Sequence, residues 1–332
     1  MNPMRVTVLG AGSWGTTVAS LAAPRHHTTL WARNPDLAAE INERHTSSRY
    51  LPDGTLPAEL HATADLAAAV SDAQLLIVGV PTHGFRSVLE DAQPHVSPWI
   101  PIVSLSKGFE QVSLLRMTQV IKQVLPGHPA TALTGPNLAR EIMAGQAAAS
   151  VIATEDLAVA AELQKVLQRG VFRLYVNHDV IGCEVGAALK NVIAIAAGIA
   201  QGIGVGDNTR AAVITRGLAE LTRLGVAMGG EPATFSGLTG MGDLVATCVS
   251  PFSRNRRVGE QLGAGRKLDD ILADSTMVAE GVKTAVTVMT LAERYGVEMP
   301  ICSTINRVIT GEITGADAYR GLQPAGHESE PG

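Results

Sequence analysis

Residues 5–23 constrain this chain more than any other stretch. The apolar run Arg5-Val6-Thr7-Val8-Leu9 enters Gly10-Ala11-Gly12-Ser13-Trp14-Gly15, and Thr16 to Ala23 continues at helical spacing. Strand, glycine turn and helix in that order open a βαβ unit. In such a G-x-G-x-x-G loop, Gly10 allows the tight turn, Gly12 lets the backbone approach a pyrophosphate, and Gly15 lets helix pack closely on strand. The anion then sits on the free amides of the helix N-terminus. The competing reading, a glycine-rich turn with no ligand, explains neither the preceding strand nor the following helix.

An acidic residue about 20 positions further on ordinarily bonds the adenosine ribose of NAD. Here the second apolar run ends Leu30-Trp31-Ala32-Arg33-Asn34, with Arg33 where the carboxylate belongs. A guanidinium there suits a 2'-phosphate, so NADPH is expected to be accepted alongside NADH; a solvated surface arginine is the alternative.

Short runs rich in Val, Ile and Leu recur up to about residue 178: Arg5 to Leu9, Thr28 to Trp31, Leu75 to Val78, Ile100 to Ser104, Ala130 to Leu133, Ala148 to Ile152, and Val171 to Tyr175. Helical stretches separate them, the pattern of a parallel sheet wrapped by helices. After Asp179 the β-branched runs end, and Ala, Leu, Gly and Met take over at helical spacing. The expected fold is therefore α/β: an N-terminal Rossmann-like doubly wound sheet over 1–178, followed by an all-α C-terminal domain over 179–320. Residues 321–332 read as a frayed tail.

A net charge of −5 supplies no basic field for a polyanion, so nucleic acid is not expected as a partner. The three cysteines, Cys183, Cys248 and Cys302, are odd in number and far apart, which argues against a disulfide framework and against a zinc site; no metal is expected. They fit a reducing compartment. The first residues lack the apolar segment of a signal peptide, so a cytoplasmic location is expected. The apolar stretch Val185 to Ala200 contains Lys190 and Asn191 and reads as a buried helix, with no membrane insertion.

Between Glu184 and Asp207 the only charged side chain is Lys190. A lysine so flanked is snorkelling, paired or functional. Its helical neighbours Ala187, Ala194 and Ala197 are small and leave room for a ligand. Downstream, Ser253-Arg254-Asn255-Arg256-Arg257 places three arginines within four residues beside Ser and Asn donors. It reads as a small phosphate clamp or, equally, as a solvated basic turn.

These residues resemble those of a known family. Gly10 to Gly15, Ser106-Lys107-Gly108-Phe109-Glu110, Gly135-Pro136-Asn137-Leu138-Ala139 and Gly186 to Gly198 recur in order in bacterial NAD(P)-dependent glycerol-3-phosphate dehydrogenases. Thr215 to Glu220, Gly242 to Val245, Ser253 to Arg257 and Val278 to Val282 continue the match over nearly the whole chain. The family often carries Ser at the position of Asn137 and Phe at that of Leu138.

The resemblance implies interconversion of dihydroxyacetone phosphate and sn-glycerol 3-phosphate by a homodimer using NADH or NADPH, in supply of glycerophospholipid synthesis. It implies Lys190 as the proton-transferring residue. Substrate contacts would come from Lys107, Gly135, Asn137, Lys190, Asp243, Ser253, Arg254 and Asn255. Dinucleotide contacts would come from Ser13, Trp14, Arg33, Lys107, Ala139, Arg254, Val278 and Glu280, beside the three loop glycines. Two rivals share parts of this pattern. A 3-hydroxyacid dehydrogenase of similar plan would bind a carboxylate and not need the Ser253 to Arg257 run. A non-catalytic dinucleotide sensor would need no lysine in a small-residue pocket. Within the dehydrogenase reading, Lys190 could also act as a fixed charge while water carries the proton.

Overall fold

The computed structural model describes residues 2–274 and 279–320. The tail 321–332 and Val278 lie outside the described residues. The strands are β1 Arg5–Leu9, β2 His27–Trp31, β3 Leu60–Thr63, β4 Leu75–Val78, β5 Ile102–Ser104, β6 Ala130–Thr134, β7 Ala148–Ala153 and β8 Phe172–Asn177. Helices α1 Ser13–Ala22, α2 Pro35–Arg44, α3 Leu66–Val70, α4 Thr82–Ala92, α5 Met117–Val124, α6 Ala139–Met143 and α7 Leu157–Leu167 are interleaved with them. Then come α8 Val180–Ile203, α9 Asp207–Ala227, α10 Pro232–Ser236, α11 Asp243–Val249, α12 Arg254–Gly263, α13 Leu268–Ala273, α14 Glu280–Tyr295, α15 Pro300–Ile309 and α16 Gly315–Arg320.

The eight strands form one sheet ordered β3-β2-β1-β4-β5-β6-β7-β8. Alternate residues feed two cores: Val6, Val8, Leu30 and Ile77 on one face, Leu9, Trp31, Leu76 and Val78 on the other. Buried on both faces, these strands read as near-continuous apolar runs. The chain reverses its winding between β1 and β4, which is where open α/β sheets bind ligands. Gly10 and Gly79 meet at that point: a Cβ added to Gly10 would lie 2.9 Å from the Gly79 carbonyl carbon.

Two features differ from the sequence expectation. The strand β3 was not anticipated, because Leu60-His61-Ala62-Thr63 buries only alternate side chains at a sheet edge and offers no apolar run. The sheet is also not wholly parallel, since β7 runs antiparallel to β6. β-branched runs announce a strand but carry no direction. The reversal matters for the site. Because β8 follows β7 in parallel, it ends level with Ala132, in the body of β6. The next helix, α8, therefore starts low on the sheet, with Val180 against Ala132, Val151 and Ala153, and climbs back toward the edge where β5 and β6 end.

Asp179 caps α8, its carboxylate accepting from Gly182 N at 2.7 Å, and Gly204 ends the helix in the left-handed conformation at φ 85°. Among the described residues α8 is the one helix long and apolar enough to cross a membrane, and 94% of its most apolar window is buried inside the molecule. Its apolarity is that of a core axis, around which α9, α11, α12, α14 and α15 pack. The contact with α12 is backbone to backbone. A Cβ on Gly198 would stand 2.0 Å from Arg256 O, and one on Gly259 would stand 2.1 Å from Ile195 O. Overpacking of this kind costs about 1–3 kcal/mol. Gly198→Ala should therefore lower the midpoint of thermal or urea unfolding; an unchanged midpoint would show that the two helices separate freely.

Candidate active site

The glycine loop has the geometry its sequence implied. Gly10 sits at φ 109°, a Cβ on Gly15 would collide with Gly10 O at 2.0 Å, and one on Gly12 would meet nothing within 4 Å. Gly12 is the N-cap of helix α1 and offers no side-chain cap, so the first amides of the helix are free to bind an anion. Ser13 Oγ donates to Tyr50 O at 2.9 Å and ties the loop to the segment after α2. Trp14 Nε1 is buried without a hydrogen-bond partner. Trp14 and Ala139 both pack on the same sheet-face core, which brings α6 beside the loop. Arg33 is exposed just beyond the end of β2. These residues fit a nicotinamide dinucleotide laid across the carboxyl edge of the sheet.

The second half of the site is a buried charge triad. Lys190 stands halfway along α8, 5% exposed, and its Nζ donates to Asp243 Oδ1 and, at 2.9 Å, to Thr247 Oγ1. Lys107, in the loop after β5, donates to the other Asp243 oxygen at 2.9 Å, to Asn137 Oδ1 at 2.6 Å and to Gly135 O at 2.9 Å. One carboxylate thus holds two ammonium groups, one from each part of the molecule. Burial pushes the Lys190 ammonium down to about 7, Asp243 opposing the shift and Lys107 adding to it. A lysine in that range exchanges a proton near neutral pH.

Asp243 is aimed by an irregular turn. Residues Leu238–Gly242 form one π-helical turn before α11, of the kind that often marks functional sites. A Cβ on Gly240 would lie 2.0 Å from Phe235 O. Thr247, one helical turn beyond Asp243, donates to Asp243 O at 2.6 Å while accepting from Lys190. Thr247 was missed from the sequence, although its i+4 spacing from Asp243 placed it on the same face.

The Ser253 to Arg257 run is the start of α12. Ser253 is the N-cap, its hydroxyl accepting from Arg256 N at 3.3 Å, and Arg254 is the first helical residue. Arg254 opens to solvent, yet the surrounding protein lowers its pKa, with Glu280 opposing. Glu280 itself accepts from Thr82 Oγ1 at 3.0 Å. Arg256 pairs with Glu260 at 2.8 Å, and Arg257 is exposed. The Asn255 amide is spent inside the protein: it donates to Asn191 Oδ1 at 2.9 Å and accepts from Gly281 N at 3.0 Å. Asn191 in turn lies 3.4 Å from Lys107 O. Asn137 Nδ2 is buried without a partner beside Lys107.

The chain matches two family models, the N-terminus of NAD-dependent glycerol-3-phosphate dehydrogenase over residues 5–160 and the C-terminus over residues 179–320. It is 56% identical over 331 residues to a glycerol-3-phosphate dehydrogenase [NAD(P)+] of Sphingopyxis alaskensis, covering 99% of each chain. It is 50% identical to one of Mycobacterium avium, over 99% of this chain and 97% of that one. The crystal structure of glycerol-3-phosphate dehydrogenase from Coxiella burnetii superposes with a TM-score of 0.92 at 34% identity, covering 96% of this chain and 98% of that one. A ketopantoate reductase from Ralstonia eutropha, 16% identical with a TM-score of 0.62, shows only that the fold is shared more widely. The loop, the triad and these matches agree: the chain belongs to the NAD(P)-dependent glycerol-3-phosphate dehydrogenases, oxidoreductases acting on an alcohol.

Proposed function

We propose that the enzyme works mainly as a reductase of dihydroxyacetone phosphate, with Lys190 as the proton donor and α12 as the phosphate site. The observation that carries this reading is the sharing of Asp243 between Lys107 and Lys190 beside the N-terminus of α12. The dinucleotide supplies a hydride to the C2 carbonyl of the substrate. Negative charge then grows on the carbonyl oxygen, and protonated Lys190 neutralises it and yields its proton to it. Asp243 holds both ammonium groups in place, so that no reorganisation is needed as the charge develops. The released product is sn-glycerol 3-phosphate.

Residue roles follow from what each side chain has left to give. The unpartnered Asn137 Nδ2 faces the substrate beside Gly135, and Lys107, whose three N–H donors are taken by Gly135, Asn137 and Asp243, adds its positive charge there. The substrate phosphate lies on Arg254, the Ser253 hydroxyl and the backbone N–H of Asn255, whose side chain braces α8 against α14. Gly10, Gly12, Ser13, Trp14, Gly15, Arg33, Ala139 and Glu280 line the dinucleotide. A reducing, cytoplasmic setting is supported by the three buried free thiols.

The test is a substrate-by-cofactor matrix: NADH and NADPH against dihydroxyacetone phosphate and no substrate, and NAD+ and NADP+ against sn-glycerol 3-phosphate, hydroxyisobutyrate and no substrate. Turnover confined to dihydroxyacetone phosphate and sn-glycerol 3-phosphate supports the reading, and turnover of the hydroxyacid overturns it. In the same matrix Arg33→Asp should raise the KM for NADPH much more than that for NADH, because only NADPH carries the 2'-phosphate. Equal effects on both cofactors would remove that contact.

A further inference from the structure

The loop from Lys107 to Arg116, with the first turn of α5 that follows it, is a strap between the sheet and the helical region. Lys107 stands at its start. Two residues on, Phe109 is 3% exposed and sits within the core of the helical region, where Leu114 also packs. The strap closes on itself: Phe109 bridges Arg116, and Glu110 N donates to Leu115 O at 2.9 Å. Leu114 takes φ 61°, a left-handed conformation that costs a branched side chain and persists only where its surroundings impose it. Glu110 fixes the strap to α4 through a two-pronged bond from Arg86, at 2.7 and 2.9 Å.

Both ends of the strap are held by one face of α8. At the near end Asn191 reaches Lys107 O at 3.4 Å. At the far end Glu184, 5% exposed, accepts from Arg116 Nη1 at 2.6 Å, from Thr118 N at 2.9 Å and from Thr118 Oγ1. Glu184 and Asn191 are seven residues apart, two turns of helix on the same side, with Lys190 next to the second of them. A buried ion pair adds little stability over an apolar pair of the same shape. What it imposes is direction: three donors converge on one carboxylate, so α8 and the strap have one mutual register.

We propose that Glu184, acting through Arg116 and Thr118, is a positioning residue that sets Lys107 against Asp243 and Lys190. The proposal rests on the reading that these two lysines carry the chemistry. Without the far anchor the strap loses its fixed register against α8 at one end, and Lys107 shares Asp243 with Lys190 less well. A displacement of that kind affects the reacting geometry and leaves the glycine loop untouched.

The test compares Glu184→Gln, Thr118→Val and Arg116→Lys in the full-length enzyme, reading kcat, the KM for the nicotinamide cofactor and the melting temperature. Glu184→Gln should lower kcat by about 10- to 100-fold, the scale of a small misplacement of a reacting group. The cofactor KM should stay near that of the unaltered enzyme. Arg116→Lys, which keeps the charge, should retain most of the turnover. If Glu184→Gln does not fold, Thr118→Val removes a single hydroxyl from the carboxylate and should give the same split with a smaller drop. A fall in melting temperature with kcat per folded molecule unchanged, or equal losses in kcat and cofactor affinity, would overturn the proposal. Should Lys190→Met abolish turnover while Glu184→Gln leaves it intact, the positioning role fails and the catalytic reading stands.

Discussion

Lys190→Met should lower kcat by at least about a hundredfold while leaving the protein folded and able to bind its cofactor. Methionine matches the length of the lysine stem and removes only the ammonium. The site should tolerate it, since Asp243 keeps the ammonium of Lys107 at 2.9 Å and the hydroxyl of Thr247 close by. The loss therefore falls on the transition state, where the carbonyl oxygen gains charge and needs a proton. Turnover near that of the unaltered enzyme would remove Lys190 from the mechanism. A moderate loss that stays constant with pH would assign it the role of a fixed charge, with water carrying the proton.

Arg254→Ala should reduce kcat/KM for dihydroxyacetone phosphate by about one to two orders of magnitude and hardly change the much weaker activity toward unphosphorylated dihydroxyacetone. A three-carbon substrate has little apolar surface, so its phosphate is the main handle by which it is oriented, and binding energy from that remote group is used at the reacting carbon. Arg254 suits this role by position. It is the first residue of α12, whose amides point the same way, and its guanidinium opens to solvent instead of closing on a carboxylate as Arg256 does on Glu260. Each charge-assisted bond to phosphate contributes about 1.5–3 kcal/mol. Equal losses with both substrates would assign Arg254 to the cofactor or the fold, and Lys107 and Arg257 would become the next residues to change.

Much of this site was legible before any coordinates. The three loop glycines act over a few residues of backbone, so their spacing carries their roles. Lys190 declared itself as the one charge between Glu184 and Asp207 in a long apolar stretch, and that stretch lies in the buried helix around which the helical region packs. Lys107, Asn137 and Asp243 were reachable only through resemblance, because each lies far along the chain from the others and nothing local to any of them states that they meet. Thr247, Glu184, Arg116 and Asn191 were missed for the same reason: Thr and Asn in helices and an Arg–Glu pair are ordinary residues until the fold brings them together. The reversal at β7 was invisible because a strand's composition does not encode its direction, yet that reversal sets where α8 begins and so where Lys190 arrives.

Catalysis turns on a lysine whose proton is tuned by burial between Asp243 and Lys107, and the pH dependence of kcat/KM tests this directly, since that ratio reports groups on the free enzyme. Lys190 must be protonated to act as the acid in reduction, and burial brings its pKa to about 7. Activity toward dihydroxyacetone phosphate should therefore fall as pH rises through that value, and this basic limb should vanish from the residual activity of Lys190→Met. A wild-type profile flat from about pH 6 to 9, well below the ordinary lysine range, or a limb that persists in Lys190→Met, would contradict the account.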